Sequence, residues 1–370
     1  MASEYRCRKC LNISTRPRIE FSADGVCNAC QWVEEKKNID WDKRTDELRA
    51  HLLKYKSTEA QYDCIVPVSG GKDSCYVSHV MKHRLGFNPL CITINPPLPF
   101  AVGLENLNNF SNNGYDLLAI TPNPHIMRRI NKIGLIDFGK PLLGWLLAMQ
   151  TYIPNIAVKM GIPLIMYGED GEVEYGGTPE TKNTMGFTVE YSKSIYLDGA
   201  IPRILQENFS PNDLLMFTFP KDEEIAANNT VLTHWSYFES WDSHRNYLVA
   251  KEHFGLQEKS SSVEAGTYGR SSQNDTCLYD LHSYIMFLKF GFGRATQDAG
   301  IDIRRGAMSR EEGIEHVRRH DDWLPEIYFE QYRDYYQISQ QELEGVFDKY
   351  ANRELLHKKN GRWVMKEEIF

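Results

Sequence analysis

The chain has 370 residues, 42% of them hydrophobic, and its formal net charge is −8. This length and apolar content suffice for a full α/β domain with smaller units beside it, so a globular protein is predicted. The acidic balance argues against general nucleic-acid binding, which needs a basic face. The longest apolar stretch, residues 142–149, is too short for a bilayer and residues 1–10 are polar, so we expect a cytoplasmic protein without membrane contact.

Two Cys-x2-Cys pairs lie near the N-terminus, Cys7 with Cys10 and Cys27 with Cys30. Their separation by 16 residues is typical of a ribbon that holds zinc with four thiolates. We therefore predict a zinc ribbon over residues 1–35, with two disulfides or an iron–sulfur cluster as the alternatives for the same thiols. The other cysteines are expected to be buried thiols, with a catalytic Cys277 as the alternative: Cys64, Cys75, Cys91 and Cys277.

After the ribbon, strand-like and helix-like segments alternate along the chain. A connecting helix is expected within residues 34–59, followed by strands over residues 63–68, 90–95, 115–121 and 163–167. Helices are expected over residues 75–85, 103–112 and 142–160. This alternation predicts an α/β fold, in which a parallel sheet with helices on both faces binds ligands at the carboxyl ends of its strands. We assign residues 36–200 to this domain and residues 201–370 to a helix-rich C-terminal substrate or partner region.

A glycine-rich turn follows the first predicted strand and opens the next helix; its sequence is Ser69-Gly70-Gly71-Lys72-Asp73-Ser74. Two glycines let backbone N–H groups surround an oxyanion, the helix N-terminus adds its positive dipole end, and Lys72 adds a full charge. The pattern is not a Walker A motif, because Asp73 follows the lysine. It resembles the PP-loop of N-type ATP pyrophosphatases, which implies that these six residues bind ATP by its pyrophosphate and that AMP passes to a substrate oxygen.

An acidic loop, residues 168–177, follows the fourth predicted strand. It holds four carboxylates between glycine turns: Glu169, Asp170, Glu172 and Glu174. Because Mg²⁺ prefers one or two carboxylates together with phosphate oxygens, we predict that Gly168, Glu169 and Asp170 complete the ATP site and help to hold the ion. The alternative is a solvated acidic loop.

The C-terminal region is helix-rich and contains the segment Lys289-Phe290-Gly291-Phe292-Gly293-Arg294-Ala295-Thr296. Glycines flanked by Lys289 and Arg294 suit the close approach of a backbone to an anionic ligand. Asp298, Arg304 and Arg305 can extend this polar surface, and the alternative is a plain surface charge cluster.

Together these motifs resemble the N-acetyl sugar amidotransferase family of bacterial surface-polysaccharide and nonulosonic-acid biosynthesis, including lipopolysaccharide O-antigens. The resemblance covers most of the chain. It rests on the two cysteine pairs and the glycine-rich turn, which several PP-loop families share. It rests also on two narrower motifs, Tyr167-Gly168-Glu169-Asp170 with Glu174-Tyr175-Gly176-Gly177, and Lys289-Phe290-Gly291 with Gly293-Arg294-Ala295-Thr296.

The resemblance implies an ATP-dependent enzyme that converts an acetamido group into an acetamidino group. ATP would adenylylate the acetamido oxygen and release pyrophosphate, and ammonia would then displace AMP. Catalytic roles are implied for Lys72 and Asp73 at the ATP loop and for Lys289 and Arg294 at the sugar or sugar nucleotide. The cofactors would be ATP, Mg²⁺ and structural Zn²⁺. Ammonia would come from a separate glutaminase with a cyclase-like partner, because the chain shows no recognisable glutaminase nucleophile.

Two other functions share these motifs. A PP-loop tRNA-thiolation enzyme would have the ribbon and the ATP loop, but it should also show a basic face and cysteines placed to carry sulfur. A non-enzymatic adenine-nucleotide sensor would bind ATP without turnover.

Overall fold

The computed structural model describes residues 5–56, 61–260 and 265–366. The strands are β1 (Cys64–Pro67), β2 (Pro89–Ile94), β3 (Asp116–Ile120), β4 (Leu164–Tyr167), β5 (Gly186–Phe187), β6 (Val231–His234), β7 (Leu356–Lys359) and β8 (Arg362–Met365). The α-helices are α1 (Asn28–Lys36), α2 (Trp41–Leu52), α3 (Lys72–His79), α4 (Ala101–Asn112), α5 (Pro124–Ile133), α6 (Leu143–Met160), α7 (Gly171–Tyr175), α8 (Val189–Tyr196), α9 (Ile201–Asn208), α10 (Asp222–Ala227), α11 (Ser243–Phe254), α12 (Leu278–Phe290), α13 (Arg294–Arg304), α14 (Arg310–His320), α15 (Phe329–Tyr336) and α16 (Gln340–Tyr350).

Six strands form one sheet in the order β3-β2-β1-β4-β6-β5. All neighbouring pairs are parallel except β5 with β6. The chain adds strands on one side of β1 and then crosses to the other side with β4, so the switch point of this sheet lies between β1 and β4. The predicted α/β fold is confirmed, and the switch point predicts a ligand site at the carboxyl ends of β1 and β4.

The central strands are buried because helices cover both faces of the sheet. Along β1, Cys64 and Val66 join the apolar cluster of α3 and α11, whereas Ile65 joins the cluster of α6 on the opposite face. This alternation is the period of a strand, and burial on both faces explains why β1 and β2 read as continuous apolar runs. A third cluster packs α12, α15 and α16 against α5 and α6, which attaches the C-terminal helices to the sheet domain.

The structure differs from some of the sequence-based elements. The stretch predicted as a connecting helix, residues 34–59, contains the end of α1 and the whole of α2, because Asp40 caps a new helix by accepting a hydrogen bond from the Lys43 N–H; residues 57–59 of that prediction lie outside the described residues. Helices α5, α7 and α8 were not predicted. The sheet also takes β6 from beyond residue 200, while the division into residues 1–35, 36–200 and 201–370 stays a prediction. Among the described residues, no helix combines the length and apolarity needed to cross a membrane.

Candidate active site and metal centre

The glycine loop, residues 69–74, joins β1 to α3. Gly70 has φ +78°, and a Cβ there would lie 2.7 Å from the backbone nitrogen of Leu107, so a side chain is excluded by both conformation and space. Ser69 Oγ accepts a hydrogen bond from the Gly71 N–H at 3.3 Å, and Ser74 Oγ accepts one from the Ser69 N–H at 3.3 Å. These contacts fix the turn at the N-terminus of α3, where backbone N–H groups favour an anion.

Lys72 and Asp73 begin α3 and are paired with each other. Lys72 Nζ lies 2.7 Å from Asp73 Oδ2, and Asn246 of α11 donates to Asp73 Oδ1 at 2.9 Å. Burial opposes the charge of Lys72, but Asp73 and then Glu169 outweigh it and raise the pKa of the amine. Lys72 is therefore a fixed positive charge beside the loop amides.

A main cavity of about 570 Å³ opens where β1, β2 and β4 end. This volume lies in the range of roughly 300–1,000 Å³ that is usual for small-molecule sites. Its lining includes apolar side chains, among them Val77, Trp145 and Ile153, and it also includes Ser69, Asp73, Ser74, Gly168, Glu169 and Asp275. The cavity can therefore hold a nucleoside against its apolar side chains with its phosphates at the glycine loop.

Glu169 is the carboxyl group of the acidic loop that faces this cavity. The hydroxyl of Tyr175 donates to Glu169 Oε1 at 2.9 Å. Burial, and then the charge of Asp73, raise the pKa of Glu169 to about 7. Lys72 lowers this pKa, but its effect is smaller than those of burial and Asp73. A further cation bound at Glu169 would favour the ionised form.

The pKa of Glu169 is raised above its ordinary value of 4.5, so between about pH 4.5 and about pH 7 the folded state keeps a proton that the unfolded state loses. The free energy of unfolding therefore declines as pH rises through this range. Glu169→Gln is expected to stabilise the protein more at about pH 8 than at about pH 5, as measured by urea unfolding. Glu180→Gln, at an exposed position, is the matched control. An equal effect of Glu169→Gln at both pH values would contradict the raised pKa.

The other three carboxylates of the acidic loop are engaged within the protein. Asp170 caps α7, where its Oδ1 accepts from the Glu172 and Val173 N–H groups and its Oδ2 accepts from the Thr181 hydroxyl. Glu172 binds Arg18 through two hydrogen bonds of 2.6 and 2.9 Å. The loop is thus not a set of four free ligands. Within it Glu169 is the carboxylate left for Mg²⁺, which fits an ion held by one carboxylate and phosphate oxygens.

Glu174 forms a buried ion pair that joins the acidic loop to the N-terminal region. It lies 2.7 Å from Lys36 Nζ, accepts from the Trp32 indole N–H at 2.8 Å, and both charged side chains are 8% exposed. Asn12 Nδ2 also donates to the Tyr175 carbonyl oxygen at 3.2 Å. The N-terminal region therefore supports the loop that carries Glu169 and Tyr175.

The four N-terminal cysteines converge on one point. The sulfurs of Cys7, Cys10, Cys27 and Cys30 lie within 4.8 Å of one another, and all four residues are buried. Cys7 Sγ lies 3.8 Å from Cys30 Sγ and Cys10 Sγ lies 3.6 Å from Cys27 Sγ, whereas a disulfide requires about 2.05 Å. The cysteines are free thiols, so the disulfide interpretation is wrong and the donor set fits one tetrahedral metal ion.

Groups around the cluster favour thiolates. The N–H of Cys27 donates to Cys7 Sγ at 3.3 Å, Asn12 Nδ2 donates to Cys27 Sγ at 3.5 Å, and Arg304 Nη1 donates to Cys10 Sγ at 3.6 Å. Burial opposes the charge of Arg304, but the cluster's sulfurs outweigh it and raise the pKa of the guanidinium. Arg304, which the sequence placed on the anion-binding surface, belongs to the metal centre.

Arg294 is brought next to Lys72. Both side chains line a loop cavity of about 200 Å³ and an arginine cavity of about 350 Å³, and the latter also contains Glu169, Arg270 and Arg305. Arg294 Nη2 lies 2.8 Å from Asp298 Oδ1, and Asp298 raises the pKa of the guanidinium against the effect of burial. The helix α13 therefore points a permanent cation at the glycine loop.

Arg294 lies in a region that matches a known protein family. Residues 252–369 match the family described as LPS biosynthesis protein WbpG-like, C-terminal domain. We refer to these matched residues, 252–369, as the WbpG-like domain. It supplies Arg294 to the cavities described above.

A curated relative, the uncharacterized protein MJ1599 of Methanocaldococcus jannaschii, is 28% identical over 105 residues. The match spans 28% of this chain and 38% of that protein, so the chain covers well under half of the relative's length.

Three solved structures are distantly similar. A predicted subunit of tRNA methyltransferase from Methanocaldococcus jannaschii is 17% identical with a TM-score of 0.28, over 51% of this chain and 75% of the other. NH3-dependent NAD synthetase from Campylobacter jejuni is 14% identical with a TM-score of 0.29, over 51% and 95%. U34-tRNA thiolase NcsA from Methanococcus maripaludis, solved with its [4Fe-4S] cluster, is 12% identical with a TM-score of 0.30, over 86% and 90%.

Lys289 of the WbpG-like domain is not brought to the glycine loop. It lines a separate cavity of about 450 Å³ with Arg16, Arg18 and Lys140, and it donates to the Phe138 carbonyl oxygen at 3.0 Å. Burial, and then Lys140, lower the pKa of its amine. Gln297 lines both this cavity and the arginine cavity and accepts a 3.4 Å hydrogen bond from Arg294.

Sequence reasoning missed three side chains that shape the site. Asn246 holds Asp73, Tyr175 holds Glu169, and Asp275 lines both the main cavity and the loop cavity. Burial raises the pKa of Asp275 to about 6 against a hydrogen bond from Ser69. The sequence carries no signal for the roles of Asn246 and Asp275, because each depends on a contact between segments that are far apart in the chain. Tyr175 lies only six residues after Glu169, in a motif that the sequence singled out without giving this residue a role.

Proposed function

We propose that this protein is an ATP-dependent amidotransferase that converts the acetamido group of a bacterial sugar or sugar nucleotide into an acetamidino group. The observation that supports it is the convergence of the glycine loop with Arg294 of the WbpG-like domain. An ATP-type phosphate site and a domain of lipopolysaccharide biosynthesis proteins thus share one set of cavities.

The chemistry requires activation, because an amide carbon is a poor electrophile. The acetamido oxygen attacks the α-phosphorus of ATP, the bond to the β-phosphate oxygen breaks, and pyrophosphate leaves. Ammonia then adds to the imidate carbon, loses a proton, and displaces AMP, which carries away the original oxygen. No side-chain nucleophile takes part.

The residues of the site suit these steps. The amides of the glycine loop and Lys72 would stabilise the charge that builds on pyrophosphate, and the enclosed cavity would exclude water from the activated imidate. Asp73, held by Asn246, positions Lys72. Mg²⁺ bound at Glu169 would neutralise phosphate oxygens further. Arg294 would orient the sugar part of the substrate in the arginine cavity. Lys289, which lines a separate cavity, would contact the substrate only if the substrate extended into that cavity as well.

The nitrogen would come from a partner glutaminase with a cyclase-like subunit. A glutaminase needs a reactive thiolate, and Cys277 does not provide one: it is 2% exposed, and burial raises the pKa of its thiol to about 12. We also propose that the ion of the four-cysteine centre is structural zinc.

The test is to incubate the purified protein with ATP, Mg²⁺, ammonium and a panel of acetamido sugars. We expect AMP, pyrophosphate and a sugar lighter by about 1 Da, since oxygen becomes NH. Glutamine alone should not replace ammonium. ATP binding without turnover on any sugar would favour the sensor, and sulfur transfer to bound RNA would favour the tRNA-thiolation alternative.

A further inference from the structure

The loop cavity contains a buried amide that has no partner. Asn274 is 7% exposed, and within the described part of the chain neither its Nδ2 nor its Oδ1 makes a hydrogen bond. The residue lines the loop cavity together with Gly71, Lys72 and Arg294. Buried amides are normally paired, so an amide with both polar atoms unpaired at a cavity wall indicates a group that a ligand completes.

The backbone around Asn274 is fixed. The Phe100 N–H donates to the Asp275 carbonyl oxygen at 3.1 Å, and the Cys277 N–H donates to the Leu98 carbonyl oxygen at 3.2 Å. On the other side, a Cβ at Gly103 would overlap the carbonyl oxygen of Asn274. The segment is therefore pinned between the loop after β2 and helix α4, and the amide is held at the cavity.

A second residue that lines the same cavity carries an unpaired donor among the described residues. Arg294 pairs with Asp298, but its Nε is buried and makes no hydrogen bond among the described residues. Gln273, which precedes Asn274, has φ +53°, a conformation that costs a residue other than glycine some strain. Strain and unpaired donors at one cavity are typical of a binding site whose geometry is set in advance.

The shape of the space identifies the ligand. The loop cavity and the main cavity share Ser69, Asp73, Ser74, Gly103 and Asp275, so one elongated molecule can occupy both. The main cavity contains the large apolar side chains, and the loop cavity lies at the first turn of α3 and is lined by two cations, Lys72 and Arg294. A nucleoside in the main cavity therefore places its outer phosphates in the loop cavity.

We propose that residues 271–275 of the WbpG-like domain form the pyrophosphate pocket and that Asn274 donates a hydrogen bond from Nδ2 to an oxygen of the β- or γ-phosphate. This proposal rests on the proposed use of ATP. It gives the WbpG-like domain a direct role in binding the leaving group, so the ATP site is complete only when both regions of the chain are present.

The test is calorimetric titration of the full-length protein with inorganic pyrophosphate and, separately, with AMP. Asn274→Ala is expected to weaken pyrophosphate binding by about tenfold or more, because a hydrogen bond to a charged group is lost, and to leave AMP binding unchanged. Asn274→Asp should weaken it further, because a carboxylate of the same size repels the anion. Asn108→Ala, at an exposed position of α4, is the matched control and should match the wild type.

Thermal unfolding separates binding from a structural role. Removing an unpaired buried amide should leave the melting temperature of Asn274→Ala unchanged or higher, and pyrophosphate should stabilise the wild type but not this variant. A lowered melting temperature with unchanged pyrophosphate affinity would overturn the proposal while leaving the proposed function standing. Failure of the wild-type protein to bind both AMP and pyrophosphate would overturn the two together.

Discussion

Lys72→Ala is expected to reduce the release of AMP and pyrophosphate by about a hundredfold or more, since removal of one preorganised group at a developing charge typically costs that much. The amine is a fixed cation beside the loop amides, and its side chain is 15% exposed. The substitution should not disturb packing, because its partner Asp73 keeps the hydrogen bond from Asn246. Turnover is measured from pyrophosphate release at saturating ATP and sugar.

The control for this variant is Lys82→Ala in the single π-helical turn, residues 80–84, that follows α3. Lys82 is a lysine near the same helix, but it binds the Gly114 carbonyl oxygen, away from the cavities that Lys72 lines. Its replacement should leave turnover unchanged. Near-normal pyrophosphate release by Lys72→Ala would show that the glycine loop is not the phosphate site.

Cys7→Ser is expected to release the metal ion, about one per chain, and to unfold the N-terminal region, because binding to four thiolates supplies the folding energy of such centres. The sheet should stay folded, because the four cysteines belong to a separate apolar cluster from those that cover the two faces of the sheet. Turnover should nevertheless fall, because Asn12 and Lys36 support the acidic loop that positions Tyr175 and Glu169.

The measurements for Cys7→Ser are elemental analysis, far-UV circular dichroism and turnover. Cys277→Ala is the control, and it should keep both the metal and the activity because Cys277 lies outside the cluster. Wild-type protein without zinc would refute the zinc proposal, and iron in its place would favour the cluster alternative. Full turnover by a metal-free Cys7→Ser protein would show that the centre does not support the site.

The N-terminal region is attached to the WbpG-like domain, which explains why loss of the metal should reach the active site. Arg6 Nη1 donates to Thr296 Oγ1 at 3.1 Å, and Thr15 Oγ1 donates to the Phe290 carbonyl oxygen at 2.5 Å. Leu11 packs against Ala299 and Val317. The metal centre therefore braces both the acidic loop and α13, the helix that carries Arg294.

The sequence located the site segments without showing their partners. The acidic loop illustrates this. Its four closely spaced carboxylates were predicted from the sequence as possible metal ligands, yet Glu172 binds Arg18 and Glu174 binds Lys36. A carboxylate that holds a distant cation and one that faces a ligand have the same residue type. Only the fold, which determines the neighbour of each side chain, distinguishes them.

Lys289 and Arg294 lie in one short segment, and here too the sequence does not show what each side chain faces. Between them, α12 ends at Gly291 in the left-handed conformation and α13 begins after Gly293, so the chain turns and the two cations line different cavities. Asn274 is the opposite case, since nothing in its sequence context marks it. Its proposed role follows from burial without a hydrogen-bond partner in the described part of the chain.

The sequence by itself determined the α/β class, the glycine loop after the first strand and the convergence of four cysteines. Each of these follows from local pattern: strand and helix periods, a turn that tolerates only glycine at Gly70, and ligand pairs two residues apart. The tertiary structure alone decided which charges are free and which are paired. The pairing of each charge depends on which distant residues the fold brings together. Lys72 and Arg294 line one cavity, and Glu174 pairs with Lys36, although each pair is separated by more than a hundred positions. No local sequence pattern encodes such contacts.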